Sequence, residues 1–158
     1  MNESARFKGR KLTTLKVVIF INMIIGGAYQ GKRAFAREYF GINNMLDGRI
    51  CDYDEIFGAE CVFNFHMLIK RLVDENIDCV EFTQKIIDEN SDIVIITDEI
   101  GCGIIPLEKS ERIWRENAGK CGCMIAASSE KVIRVFCGIL TVIKNTAPPH
   151  TTADKERI

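Results

Sequence analysis

Two runs of β-branched and aliphatic residues dominate the hydrophobic pattern, at positions 17–25 and 93–97. Neither run alternates with polar residues, which is the signature of central parallel strands covered on both faces. The first gives way to a glycine-rich turn, Gly26-Gly27-Ala28-Tyr29-Gln30-Gly31-Lys32, after which residues 32–40 predict a short helix closed by Gly41. Residues 43–60 are polar, weakly periodic and interrupted by Gly48 and Gly58, so they read as a loop or irregular excursion. A second short strand is predicted over 61–65, and then Leu68, Ile69, Leu72 and Val73 fall on one helical face within 66–75. Asp78 is a natural N-cap for the next helix, which runs to about Asn90. The run at 93–97 ends on Asp98 and Glu99 and leads into a loop at 101–106. A long helix follows from Lys109 to Ser128, with Trp114, Ala118, Cys121 and Ile125 on one stripe. Residues 131–137 form another strand, Gly138 turns the chain, and 139–144 add a last edge strand.

Strands alternating with helices predict an α/β fold: a mainly parallel sheet with helices on both faces. In such sheets ligands bind beyond the carboxyl ends of the strands. The glycine turn and the Asp98-Glu99 pair both lie there. The domain spans 16–144, flanked by a flexible basic arm at 1–15 and by a disordered tail at 145–158, which holds two of the three prolines.

Composition narrows the partners. At 158 residues the chain suits one domain with a core that needs no covalent staples. Its 21 basic and 22 acidic residues leave a net charge of −1, which gives no reason to expect nucleic acid as the partner. Seven cysteines at irregular spacing read as reduced thiols of a cytoplasmic protein, not as a disulfide frame. Cys121-Gly122-Cys123 has no second Cys or His pair to complete a zinc site, and small buried hydrophobes are the better reading. Basic residues before the run at 17–25 imitate a signal peptide, but cleavage there would destroy the glycine turn. The run is also far short of the ~20 residues that span a bilayer, so no membrane association is expected.

The candidate chemistry begins with that turn. Residues 26–32 fit G-x-x-x-x-G-K, placed as the pattern demands between a strand and a helix. Backbone amides of Gly26, Gly27, Ala28, Tyr29, Gln30, Gly31, Lys32 and Arg33 are the expected phosphate cradle. The helix N-terminus adds positive potential, and Lys32 is the expected catalytic contact to the terminal phosphates. Arg33 stands where Ser or Thr ordinarily supplies a hydroxyl to Mg²⁺. Asp98 and Glu99 are candidate metal ligands, and Glu99 is the preferred group to support a metal or an acceptor hydroxyl; capping or a solvated strand end is the alternative. His66 is weighed as a nucleophile against a satisfied structural histidine, and His150 is incidental.

Beyond these elements, Ile24-Ile25 with the glycine turn, and Ile96-Thr97-Asp98-Glu99-Ile100-Gly101-Cys102-Gly103-Ile104-Ile105-Pro106, are together distinctive. They resemble the bifunctional adenosylcobinamide kinase/adenosylcobinamide-phosphate guanylyltransferase family. Arg115-Glu116-Asn117-Ala118-Gly119-Lys120, Phe136-Cys137-Gly138-Ile139 and Val142-Ile143-Lys144 extend the likeness. The resemblance implies a RecA-like P-loop fold and GTP or ATP as donor, with Mg²⁺. It also implies phosphoryl transfer to the aminopropanol hydroxyl of a corrinoid substrate, guanylyl transfer through a histidine, and a homo-oligomer. This chain departs from the family pattern in three places. No histidine segment lies between Arg37 and Phe63, Asn64 stands where the second strand ordinarily bears an acid, and Arg33 replaces the hydroxyl residue. The alternatives are a non-catalytic nucleotide-binding protein built on the same fold, or a small-molecule kinase with another acceptor.

Overall fold

The computed structural model describes residues 20–146. The basic arm at 1–15, residues 17–19 of the first apolar run, and the tail from 147, with His150, lie outside the described residues. Strand β1 (Asn22–Gly26) leads through the glycine turn into α1 (Lys32–Phe40), and Gly41 ends that helix in the left-handed conformation, φ 68°. The expected loop at 43–60 contains a two-residue strand, β2 (Leu46–Asp47), and a 3₁₀ turn over Asp54–Gly58. Two residues are too few to leave a period in the sequence. Strand β3 (Cys61–Phe63) stops before Asn64, which adopts φ 56° and starts α2 (Phe65–Asp74), so Phe65 belongs to the helix and not to the strand. The rest of the chain follows the expected order: α3 (Cys79–Glu89), β4 (Val94–Asp98), α4 (Lys109–Ser128), β5 (Lys131–Phe136) and β6 (Ile139–Asn145).

The strands form one sheet in the order β2-β3-β4-β1-β5-β6. Its pairs are parallel except β5 with β6, which is antiparallel. Side chains alternate between two apolar layers, as a pleated strand requires. Met23, Val62, Ile95 and Val132 face a core built with Phe65, Leu68, Leu72, Ile86, Cys121 and Ile125 from α2, α3 and α4. Ile24, Cys61, Val94, Ile96 and Val135 face the other side, where α1 brings Ala36 and Phe35. Each fully buried Ile or Leu contributes about 1.5–3 kcal/mol by leaving water. Double coverage explains why the first and fourth strands read as continuous apolar runs.

Cys51, Cys61, Cys79 and Cys121 are buried, whereas Cys102, Cys123 and Cys137 are exposed, and all are free thiols. Cys123 therefore is not the buried hydrophobe expected of it, because Cys121 alone of that pair lies on the inward stripe of α4. Among the described residues no helix is long and apolar enough to cross a membrane.

Asp78 caps α3 as the sequence requires, its Oδ1 accepting from the amides of Val80 at 2.8 Å and Glu81 at 3.0 Å. Asp78→Ala leaves both amides to water and is expected to lower the unfolding free energy by about 1 kcal/mol. Urea denaturation checks this, with the midpoint falling and the slope unchanged.

Candidate functional site

The register of the two central strands sets Gly26 directly beside Asp98. Gly26 must be glycine: its φ is +149°, and a Cβ there would lie 2.2 Å from the carbonyl oxygen of Val135 on β5. The chain can therefore leave β1 close against its neighbour and fold the glycine turn over the sheet end. Among the described residues, the amides of Gly27 to Gly31 donate to no backbone or side-chain acceptor. Helix α1 begins with no side-chain cap and no acid in its first turn. Unpaired amides and an uncapped helix N-terminus together make an anion seat.

Lys32 reaches back over this seat. Its Nζ lies 2.6 Å from Asp98 Oδ1 and donates to the carbonyls of Gly26 at 3.2 Å and Gly27 at 2.5 Å. The ammonium is nearly buried, with 8% of the side chain exposed, so each of its three protons needs such a partner. Lys32 and Asp98 line an open cleft of about 540 Å³ together with Tyr29, Gln30, Arg33, Arg37, Arg49, Phe63 and Asn64. Four cations thus face one carboxylate. Arg33 and Arg37 are one helical turn apart on α1 and share a face. The Arg33 guanidinium lies over the Phe63 ring, 4.7 Å from its centroid.

The two acids of the β4 end part company. Asp98 turns into the cleft, whereas Glu99 pairs with Arg134 of β5 at 2.8 Å and does not line the cleft. Glu99 is the first residue beyond β4 and turns to Arg134 of β5, so the two carboxylates do not converge on one point. Of the two candidate acids, Asp98 lies in the cleft and Glu99, the one preferred from the sequence, lies outside it.

His66 is 7% exposed, and its Nδ1 accepts the Asp98 amide at 3.2 Å. That bond places the ring proton on Nε2, which faces Asp98 Oδ2 at 3.9 Å. Neither nitrogen offers a free lone pair to the cleft, as a nucleophile would, and the geometry is that of the structural alternative. Burial pushes its pKa below the usual histidine value, against the pull of Asp98 and with the help of Lys32, so the ring is neutral at pH 7. Trp114 locks the ring's backbone, donating from Nε1 to the His66 carbonyl at 2.6 Å. The histidine braces the end of β4.

Asn64, in place of an acid, donates from Nδ2 to Asp47 Oδ1 at 2.9 Å. Asp47 sits at the end of the short strand that the sequence hides, and Arg49 clasps the same carboxylate. Neither Asp47 nor Arg49 belongs to a recognisable motif; the Asp-Gly step within 47–48 signalled only a turn. Two groups that ordinarily face a nucleotide-bound magnesium ion are replaced here. Arg33 stands in the place of the hydroxyl ligand and Asn64 in that of the second-strand acid, bonded to Asp47, while Asp98 gives Oδ1 to Lys32 and keeps Oδ2; among the described residues no three His, Cys, Asp or Glu side chains converge.

Against this geometry, the family described as cobinamide kinase / cobinamide phosphate guanyltransferase matches residues 60–143, just over half of the chain. The match takes in β3 to β6 and begins after the glycine turn. No curated relative matches the chain.

Asp47 generates a prediction of its own. Partial burial would raise its pKa, but hydrogen bonds from Arg49 and Asn64 outweigh that and lower it from 3.8 to about 2. The unfolded chain therefore takes up this proton first. The contribution of Asp47 to stability is complete above pH 3.8 and is lost as the pH falls through about 2. Thermal unfolding followed across that range should show Asp47→Asn less stable than wild type at neutral pH and the difference closing in acid.

Proposed function

The chain belongs to the cobinamide kinase / cobinamide phosphate guanyltransferase family, and from that membership we propose that the cleft over Gly26 to Lys32 is its nucleoside triphosphate site. Membership carries the activity: nucleotide-dependent phosphoryl and guanylyl transfer to cobinamide-type substrates, by an enzyme of the kinase/guanylyltransferase type. The family match does not include the glycine turn, so the placement of nucleotide is the reading advanced here.

One observation carries it. Lys32 Nζ, drawn over unpaired amides by two loop carbonyls and Asp98, faces an open cleft otherwise lined by arginines. A phosphate oxygen competes with Asp98 Oδ1 for the ammonium, and the amides of Gly27 to Gly31 receive the remaining charge. Arg33 and Arg37 neutralise the triphosphate where a hydroxyl residue would otherwise hold a metal. The donor is GTP or ATP; no base-reading group favours either. Asp98 Oδ2, left free by Lys32, is the group placed to take the proton of an acceptor hydroxyl as the terminal phosphoryl group moves. His66 and Trp114 keep that carboxylate in place. The near-zero net charge supports a small-molecule partner over nucleic acid. The exposed side chains of Ile104, Ile105 and Leu107, and of Ile139 and Ile143 on β6, are the feature that supports a homo-oligomer.

Calorimetric titration of GTP and ATP, in Mg²⁺ and in EDTA, tests the site. Wild type is expected to bind under both conditions, and Lys32→Ala to bind about tenfold or more weakly, the worth of a charge-assisted hydrogen bond. A folded wild-type protein that binds neither nucleotide sinks the proposal. Nucleotide binding with no transfer to any cobinamide acceptor would return the chain to the binding-only alternative.

Turnover tests Asp98 separately. Asp98→Asn keeps the shape but not the basicity, and kcat for phosphorylation of cobinamide should fall about 10²–10⁴-fold, the range for loss of a general base. An unchanged kcat removes Asp98 from that role.

A further inference from the structure

Arg49 is an exposed arginine tied to one carboxylate by several hydrogen bonds. Its side chain is 57% exposed, yet Nε donates to both oxygens of Asp47, at 3.1 and 2.9 Å, and Nη2 donates to Oδ2 at 2.5 Å. The Arg49 amide also donates to Asp47 Oδ1, at 3.0 Å. An isolated surface pair is worth little and is seldom fixed in one geometry. Here the turn that carries it is anchored from several sides.

Gly48 sits directly on the β3–α2 junction. Its amide donates to the Phe63 carbonyl at 2.8 Å, and a Cβ there would come within 2.7 Å of the Asn64 carbonyl oxygen. From α2, Arg71 donates to the carbonyls of Gly48 at 3.1 Å and Cys51 at 2.9 Å while its guanidinium lies over the Tyr53 ring. Asn64 holds Asp47 from the opposite side at 2.9 Å. All this scaffolding ends in one guanidinium that lines the cleft of Lys32.

One edge of that guanidinium is spent on Asp47. The N–H groups of Nη1 have no acceptor among the described residues, and a planar fork with a free edge is suited to phosphate oxygens. Strand order fixes the side from which it enters the cleft. Three strand spacings, roughly 14 Å, separate β2 from β1, so Arg49 enters the cleft from the side opposite the glycine turn. The amides of the glycine turn cradle the inner phosphates and Lys32 reaches the terminal ones, so a guanidinium entering from the β2 side meets the outer end of the polyphosphate.

We infer that Arg49 is a specificity-determining residue that reads the terminal phosphate, so that the site prefers a nucleoside triphosphate to a diphosphate, and that Asp47 is its positioning residue. The inference rests on the cleft being the nucleotide site. It supplies, from the chain's own side chains, positive charge at the end of the triphosphate.

The test is titration of ATP, ADP, GTP and GDP against wild type, Arg49→Ala, Arg49→Lys and Asp47→Asn, with thermal unfolding confirming that each variant is folded. Wild type is expected to prefer triphosphate. Arg49→Ala should shrink that preference about tenfold or more, by loss of charge-assisted hydrogen bonds, while leaving diphosphate affinity as it was. Arg49→Lys keeps the charge without the fork and should recover only part. Asp47→Asn should shrink the preference less than Arg49→Ala does, a change that a merely structural role in the turn would not produce. An unaltered triphosphate preference in Arg49→Ala overturns the inference, as does an equal loss for both nucleotide classes. Wild type that binds no nucleotide overturns the site itself, which is a different result and is read from the wild-type arm alone.

Discussion

The ion pair between Lys32 and Asp98 is the constraint on which the site depends. An ammonium group this far from water is tolerable only when its protons are all taken, and here two carbonyls and one carboxylate take them. The pair joins residues 66 positions apart in sequence, and it can form only because β1 and β4 are parallel neighbours with Gly26 opposite Asp98. Fold and chemistry meet in that register. A one-residue slip would move Asp98 to the other face of the sheet and Glu99 into the cleft.

The same parity explains what sequence reading reached and what it missed. Continuous apolar runs, the Asp78 cap, the Gly41 terminator and the stripe on α4 are local signals, and each identified its element. The glycine turn was legible for the same reason, since strand, glycines, lysine and helix are contiguous. Choosing between Asp98 and Glu99 was not a local question. It turned on where the strand ended and which face pointed to Lys32, and a boundary uncertainty of one residue exchanges the two. The histidine left its two alternatives open for the same reason, because its Nδ1 partner is a backbone amide 32 residues away. Asp47 and Arg49 left no signal at all. Their strand is two residues long, and their importance arises from contacts with Phe63, Asn64 and Arg71 that only the folded chain creates.

Two independent lines converge on one cleft. The family match covers β3 to β6, the part of the chain that supplies Phe63, Asn64, His66 and Asp98. The phosphate-loop pattern lies before that match, in the part that supplies Lys32, Arg33 and Arg37. Neither line contains the other, yet the sheet order brings both sets of residues to the same carboxyl-terminal edge. That placement is where open α/β sheets carry their ligands. That convergence is what supports the proposed placement of the nucleotide site.

The balance of charge at that location departs from the usual division of labour between metal and protein. Carboxylates and a hydroxyl beside a phosphate loop attract a divalent cation, which in turn neutralises the nucleotide. In this chain the hydroxyl position is an arginine stacked on Phe63, the second-strand acid is an amide bonded to Asp47, and Asp47 itself is committed to Arg49. Each change removes a cation ligand or commits it to a protein group, and two of them bring an arginine to the cleft wall. A triphosphate carries its negative charge into the site whatever the protein offers. On the proposed reading, compensation comes chiefly from Lys32, Arg33, Arg37 and Arg49, with Asp98 the one carboxylate lining the cleft among the described residues; Lys32 and Arg49 are held by hydrogen bonds and Arg33 lies over Phe63. Fixed charges need no reorganisation when phosphoryl charge develops, and for that reason a cleft poor in metal ligands is still suited to phosphoryl transfer.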